Sequence, residues 1–240
     1  MFVNVSIKNL HCADCKAVDG GTCLLGSIEK TWVDKLQERK HLNIFPKGSR
    51  IFHEGNYPIG LYAIYNGKVK IFKTSETGKE YILRLAKEGE VLGYRSILMN
   101  EKYEVSAEAI EDTHLCFIPA EAFTTALKSS TKLSTGVIDM LATELKNTEE
   151  KLAEMAQKTV KERTAEMVLM LRHFYGLEDD NKTINAALAR EDLANLVGTA
   201  TETLIRMLSE FKENKVLELK GKKITILNLR LLQSLAGVYD

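Results

Sequence analysis

The period of apolar and polar positions along this chain changes from strand-like to mainly helical near residue 120. From about Ile44 to Pro119 apolar residues alternate with polar ones or form short runs broken by turn residues. FPKGSRIFHEGN carries turn signals around a short strand. LYAIYNGKVKIFKTSETGKEYILRLAKEGEVLG follows, with breaks at Asn66-Gly67, Thr77-Gly78 and Glu88-Gly89. Asn and Gly both tolerate positive φ, so Asn66-Gly67 predicts a hairpin turn. VSAEAIEDTHLCFIP closes the region with two more strands. Many short strands with glycine turns predict a barrel or sandwich.

From Ala120 onward the period is helical. Leu141, Leu145, Thr148, Leu152, Met155 and Thr159 follow a heptad spacing. With Val137 and Met140 they form a candidate dimerisation face. The alternative is an amphipathic helix packed on its own domain. Charged flanks (Glu144, Lys146, Glu149, Glu150, Lys151, Glu154) favour a long exposed helix that meets a partner.

After Val160 the helices shorten. In AREDLANLVGTATETLIRMLSEFKENKVLELKGKKITIL, Arg190 starts a short helix and Gly198 breaks it. A second helix is predicted from about Thr199 to Lys212, with Leu204, Met207, Leu208 and Phe211 facing inward. Two strands then flank the basic tip Lys220-Gly221-Lys222-Lys223. Helix, glycine turn, helix and β wing make a winged helix-turn-helix. The N-terminal part of the second helix in this motif meets base edges. Arg206 can donate two bonds to guanine, and Glu202 can accept from cytosine N4. Thr199, Thr203 and Arg190 suit phosphate oxygens. Thr201 flanks the pair, and Lys220 and Lys222 tip the wing. The alternative for Glu202 and Arg206 is an i,i+4 surface ion pair.

Composition adds little to this and excludes some classes. The 240 residues are 45% hydrophobic and 28% charged, which fits a globular chain of one or two domains. Lys+Arg and Asp+Glu balance at 33 each, so any affinity for DNA must come from a local basic patch. No apolar run approaches the ~18 residues of a membrane span. No secretory signal is visible, so a cytoplasmic chain with reduced thiols and no membrane partner is expected. No nucleophile elbow, P-loop, Rossmann fingerprint or zincin motif occurs, so an enzyme is not expected.

HCADCKAVDGGTC holds Cys12, Cys15 and Cys23, and Cys116 follows 93 residues after Cys23. Two cysteines at x2 spacing suit a cluster or a metal, because a short turn aims both sulfurs inward. Three other readings stand beside that one. Zn²⁺ could take four thiolates, or His11 or His114 in place of one. Cys12 and Cys15 could be a thiol redox pair. Cys116, in an apolar strand, could be a plain core residue.

The whole layout resembles the CRP/FNR superfamily of bacterial transcription regulators. Glu202-Thr203-Leu204-Ile205-Arg206 is similar to the family's recognition helix, and Arg190 matches its phosphate-contacting position. The resemblance implies an α+β fold of four parts. These are a cysteine-rich segment (1–26), a cyclic-nucleotide-binding-type β-roll or double-stranded β-helix (27–130), a long dimerisation helix (131–160) and a winged helix-turn-helix (161–240). It also implies a homodimer on a near-palindromic double-stranded DNA site with a T-G-A element, and contact with RNA polymerase. In GYRSILMNEKYEVSA, Tyr94 stands where the family's ribose-binding Glu is expected and Val105 where its phosphate-binding Arg is. Binding of cAMP is therefore not expected. Arg95 is the nearby cation, but on a strand it would face the other way. Together with Tyr94 it would line any pocket for another effector, such as a small acid or haem. The oxygen-sensing FNR branch carries three N-terminal cysteines and one in the β-roll as ligands of a [4Fe-4S] cluster. Cys12, Cys15, Cys23 and Cys116 match that layout. Their C-x2-C-x7-C run is two residues longer than the branch's C-x2-C-x5-C, a length Gly20-Gly21 can absorb.

Overall fold

The computed structural model describes residues 12, 15, 23–76 and 78–237. His11, Gly20, Gly21 and Thr77, each used in the readings above, lie outside the described residues. The chain divides into two compact units, residues 1–145 and 146–240.

In the first unit a 3-10 turn (Leu24–Ser27) leads to α1 (Lys30–Arg39). Eight strands follow: β1 (His41–Phe45), β2 (Arg50–Phe52), β3 (Gly60–Asn66), β4 (Val69–Thr74), β5 (Glu80–Ala86), β6 (Val91–Leu92), β7 (Ser106–Ala109) and β8 (Thr113–Pro119). The short helix α2 (Tyr94–Met99) lies between β6 and β7, and α3 (Ala120–Ser129) follows β8. The strands form two antiparallel four-stranded sheets, β1-β8-β3-β6 and β2-β7-β4-β5. This is the expected β-roll.

Alternation along β3 and β8 supplies two cores at once. Tyr62, Ile64 and Leu115 join Ile51, Phe52, Val69, Ile71 and Tyr103 in the roll interior. Leu61, Ala63, Cys116 and Ile118 point the other way and pack with Leu36, Phe123, Leu133 and Val137 from the helices. A strand's side chains alternate between faces, so one residue of register decides which core receives Cys116. The register Ala63↔Cys116 and Leu42↔Cys116 places it on the helix-covered face.

Asn66-Gly67 does not close a hairpin. β3 and β4 belong to different sheets, and the turn carries the chain between them. Gly67 has φ +106°, and a Cβ there would come within 2.5 Å of Thr113 Oγ1. The glycine is needed for this close crossing and not for a two-residue hairpin loop. The turn around Gly78 does join paired strands, β4 and β5. Tyr94 and Arg95 lie on α2 rather than on a strand. Gly93, at φ 83°, breaks β6 and starts that helix, which changes the expected facing of Arg95.

The long helix α4 (Thr131–Gln157) spans 27 residues. It stops before the end of the heptad pattern, because Thr159 caps the next helix instead. Thr159 Oγ1 accepts from Glu162 N–H, and a Glu162 carboxylate oxygen accepts from Thr159 N–H at 2.7 Å. This reciprocal capping box starts α5 (Val160–Tyr175). The second unit continues with α6 (Arg190–Val197), α7 (Thr201–Glu213), the wing strands β9 (Leu217–Lys220) and β10 (Lys223–Ile226), and α8 (Leu229–Leu235). Its buried residues include Val168, Leu171, Leu193, Leu204, Leu208, Phe211 and Ile224. Among the described residues no helix is long and apolar enough to cross a membrane.

Candidate functional sites

The second unit presents the candidate nucleic-acid interface. Gly198 ends α6 in the left-handed region (φ 71°, ψ 49°), which turns the chain sharply into α7. Leu204, Leu208 and Phe211 bury one face of α7. That leaves Glu202 and Arg206 exposed one turn apart on its opposite face. Among the described residues neither has an ion-pair partner, so the i,i+4 pair considered above is not formed. Thr199, Thr201 and Thr203 are half-buried around the start of α7. No side chain caps α7, so its first N–H groups remain available to an anion.

Arg190 is placed differently from a simple phosphate contact. One guanidinium nitrogen donates to the Gly221 carbonyl at the wing tip, at 2.8 Å. Another, Nη1, is buried without a hydrogen-bond partner. Burial lowers its pKa. The side chain ties the start of α6 to the wing. On the wing itself Lys222 is exposed, Lys220 pairs with Glu218 at 3.4 Å and Lys223 with Glu178 at 2.7 Å. Asp180 organises the loop beside β10. It accepts from the backbone N–H groups of Lys182 and Thr183 and from the Thr183 hydroxyl, which holds its carboxyl down at about 2.

On α4, Ile138, Leu145 and Leu152 stand seven residues apart and are 63%, 61% and 69% exposed. Met155 is also exposed, and Met140 and Leu141 are half-buried against the first unit's core. Val137 is 4% exposed and belongs to that core. Thr148 is exposed on the same helix. Ile138 was missed in the sequence, although it sits one heptad before Leu145.

In the first unit all four cysteines are buried and none forms a disulfide. Cys15, Cys23 and Cys116 share one core cluster. Burial pushes the Cys116 thiol up to about 11; the Lys40 ammonium pulls it back, and Cys12, Cys15 and Cys23 push it further up. All three N-terminal sulfurs are thus within electrostatic reach of Cys116. Cys15 N–H donates to the Cys12 carbonyl at 3.2 Å, the short turn expected of x2 spacing. Gln37 on α1 accepts from Cys12 N–H at 3.0 Å, and Lys40 Nζ donates to Cys12 Sγ at 3.3 Å. Among the described residues no three His, Cys, Asp or Glu side chains are arranged to hold a metal ion. A four-iron cube is larger than one ion, so its thiolates stand farther apart than those around a zinc. Four buried, neighbouring, unbridged thiols fit the larger group by chemistry and number.

Tyr94 is buried, and burial with the neighbouring Glu144 carboxylate raises its pKa. Arg84 bonds Glu90 at 2.6 Å and Glu144 at 3.2 Å. Val105 packs against the roll interior, and Arg95 is exposed.

Comparison with known proteins agrees with this architecture. Residues 42–130 match the family "Cyclic nucleotide-binding domain", and residues 162–235 match "Crp-like helix-turn-helix domain". The Fumarate and nitrate reduction regulatory protein of Vibrio cholerae is 29% identical over 233 residues, 95% of this chain and 91% of that protein. The Transcriptional activator protein anr of Pseudomonas aeruginosa is 28% identical over 235 residues, 97% and 95% of the two chains. Among solved structures, a transcriptional regulator of the CRP/FNR family from Eubacterium rectale superposes with a TM-score of 0.75 at 23% identity, covering 89% of this chain and 97% of that one. FixK2 from Bradyrhizobium japonicum gives 0.70 at 23%, covering 82% and 96%. A β-roll followed by a winged helix-turn-helix defines a DNA-binding regulator rather than an enzyme. The chain belongs to the CRP/FNR superfamily of transcription regulators.

Proposed function

We propose that this chain is a homodimeric, sequence-specific DNA-binding regulator that senses oxygen, NO or redox state through a cluster held by Cys12, Cys15, Cys23 and Cys116. The observation that carries the reading is that Cys15 and Cys23 share the helix-covered core with Cys116, while Cys12, also buried and unbridged, lies within electrostatic reach of Cys116. An iron–sulfur cluster supplies redox chemistry that answers to oxidants. The relatives' names, which include "Anaerobic regulatory protein" in Pasteurella multocida, support the same reading.

The rest of the chain does the output. Glu202 and Arg206 read base edges from the free face of α7, and the helix N-terminus with Thr199, Thr201 and Thr203 takes phosphate. Lys220 and Lys222 on the wing add backbone contact. Arg190 holds helix and wing in register for both. Ile138, Leu145, Leu152 and Met155 meet a second copy, as their exposure at heptad spacing supports. A near-palindromic site then mirrors the two-fold axis, with half-sites one helical turn of DNA apart. Tyr94 and Val105 supply neither the carboxylate nor the guanidinium that the family's cyclic-nucleotide site uses, and an anion in a cavity needs a cationic or N–H partner.

The test is anaerobic purification of the full chain with a visible spectrum and assays for iron, acid-labile sulfide and zinc. About four irons and four sulfides per chain are expected, bleaching in air. Stoichiometric zinc without iron, or neither metal, overturns the cluster reading and leaves the DNA-binding assignment in place.

A further inference from the structure

The sulfur of Cys12 has a charged neighbour that no motif draws attention to. Lys40 caps the C-terminal end of α1 and is followed at once by β1, which pairs with β8 at Leu42↔Cys116. Its backbone is therefore fixed between a helix end and the strand that pairs with the one carrying the fourth cysteine. From there Nζ donates to Cys12 Sγ at 3.3 Å, while Gln37, one turn earlier, accepts from the Cys12 backbone N–H. Two side chains from one helix end thus grip the same cysteine, one at its backbone and one at its sulfur.

We propose that Lys40 is a positioning residue for the cysteine-held cluster, fixing the Cys12 sulfur and slowing oxidation through a charged hydrogen bond. The inference rests on the cluster reading above. A charged donor favours the more negative state of a sulfur ligand. Hydrogen bonds to the sulfurs and local net charge are among the levers that set the potential of such centres. An oxidant that took one electron from the held group, as dioxygen would in leaving as superoxide, would make the sulfur-bound unit less negative and weaken its bond to Lys40. The ammonium therefore opposes loss of the electron and raises the midpoint potential. A solvent-exposed lysine would be screened, but this contact is partly buried.

The experiment compares the full wild-type chain with Lys40→Met and Lys40→Arg, all purified without oxygen. Iron and sulfide per chain, the decay of the visible band in air-saturated buffer, and the midpoint potential are measured. Lys40→Met is expected to carry a full cluster that bleaches roughly tenfold faster, at the low end of what losing such an outer partner costs. Its potential is expected to shift downward, and Lys40→Arg to restore both values. Unchanged decay and potential in a fully loaded Lys40→Met chain overturn the role of Lys40 and leave the cluster standing. A wild-type chain with neither iron nor sulfide overturns the cluster reading, and the role of Lys40 with it. If Lys40→Met assembles no cluster, Lys40→Gln, which keeps a neutral donor, is measured instead. Intermediate decay then supports the proposal and wild-type decay overturns it.

Discussion

Gly198 sets the turn between the two helices of the DNA-binding motif, and its replacement by alanine isolates the strain that turn requires. Its φ is +71°, a region where a Cβ crowds the following carbonyl. The cost for an L-residue is about 1–2 kcal/mol. A second effect is present. A Cβ at Gly198 would come 2.8 Å from Met155 Cε. That atom is the far end of a flexible, unbranched side chain, so it can shift at little cost. The backbone term should therefore dominate. The unit concerned spans residues 146–240. For a domain of that size each kcal/mol shifts the midpoint by about 4–8 °C, so its transition should fall by roughly 4–16 °C. Calorimetry of the full chain measures this, with amide exchange across 190–213 locating the loosened region. Gly198→Asn should recover part of the loss, because asparagine tolerates the left-handed region better. Combining Gly198→Ala with Met155→Ala separates the two causes. If the cost vanishes in that double variant, the methyl contact was responsible and the backbone argument fails. The same conclusion follows if alanine and asparagine are equally destabilising.

Four further outcomes are expected. Arg206→Ala should cost about 1–3 kcal/mol of base discrimination per half-site, with the dimer intact; an unchanged ratio of operator to scrambled DNA affinity excludes base reading. Cys116→Ser should lose iron and the visible band while far-ultraviolet circular dichroism stays native; a loaded mutant would remove Cys116 from the ligand set. Leu152→Glu should dissociate the dimer, since two buried leucines contribute roughly 3 kcal/mol or more, and sedimentation at several concentrations reads it. The lowered carboxyl of Asp180 should contribute stability that is fully present above about pH 4 and lost as pH falls through about 2. Thermal unfolding from pH 5 to 2 should be flatter in Asp180→Asn, and identical slopes would show that this loop does not couple to stability.

Much of this protein was legible in its pattern of residues. The change from strand to helix period, the heptad of α4 and the α6–Gly198–α7 motif are local features, written in spacings of two, three and four. Burial of Leu204, Leu208 and Phe211 followed from the helical period alone, and so did the exposure of Glu202 and Arg206. What remained undecided depended on which segments meet. Asn66-Gly67 carries a hairpin's residues, yet β3 pairs with β8 and β6 while β4 pairs with β7 and β5, in two different sheets. Val137 was included in the dimer face but is taken by its own core, while Ile138 beside it, the position in phase with Leu145 and Leu152, faces outward. Tyr94 leaves its strand because Gly93 turns left-handed first. The cysteines show the division most plainly. Their spacing was visible from the start, but only strand register brings Cys116 to the helix-covered face, and only the end of α1 sets Lys40 beside Cys12. Local periodicity determines elements, because it acts between near neighbours in the chain. Contacts across 28 or more residues, such as Lys40 to Cys12, exist only once those elements are packed.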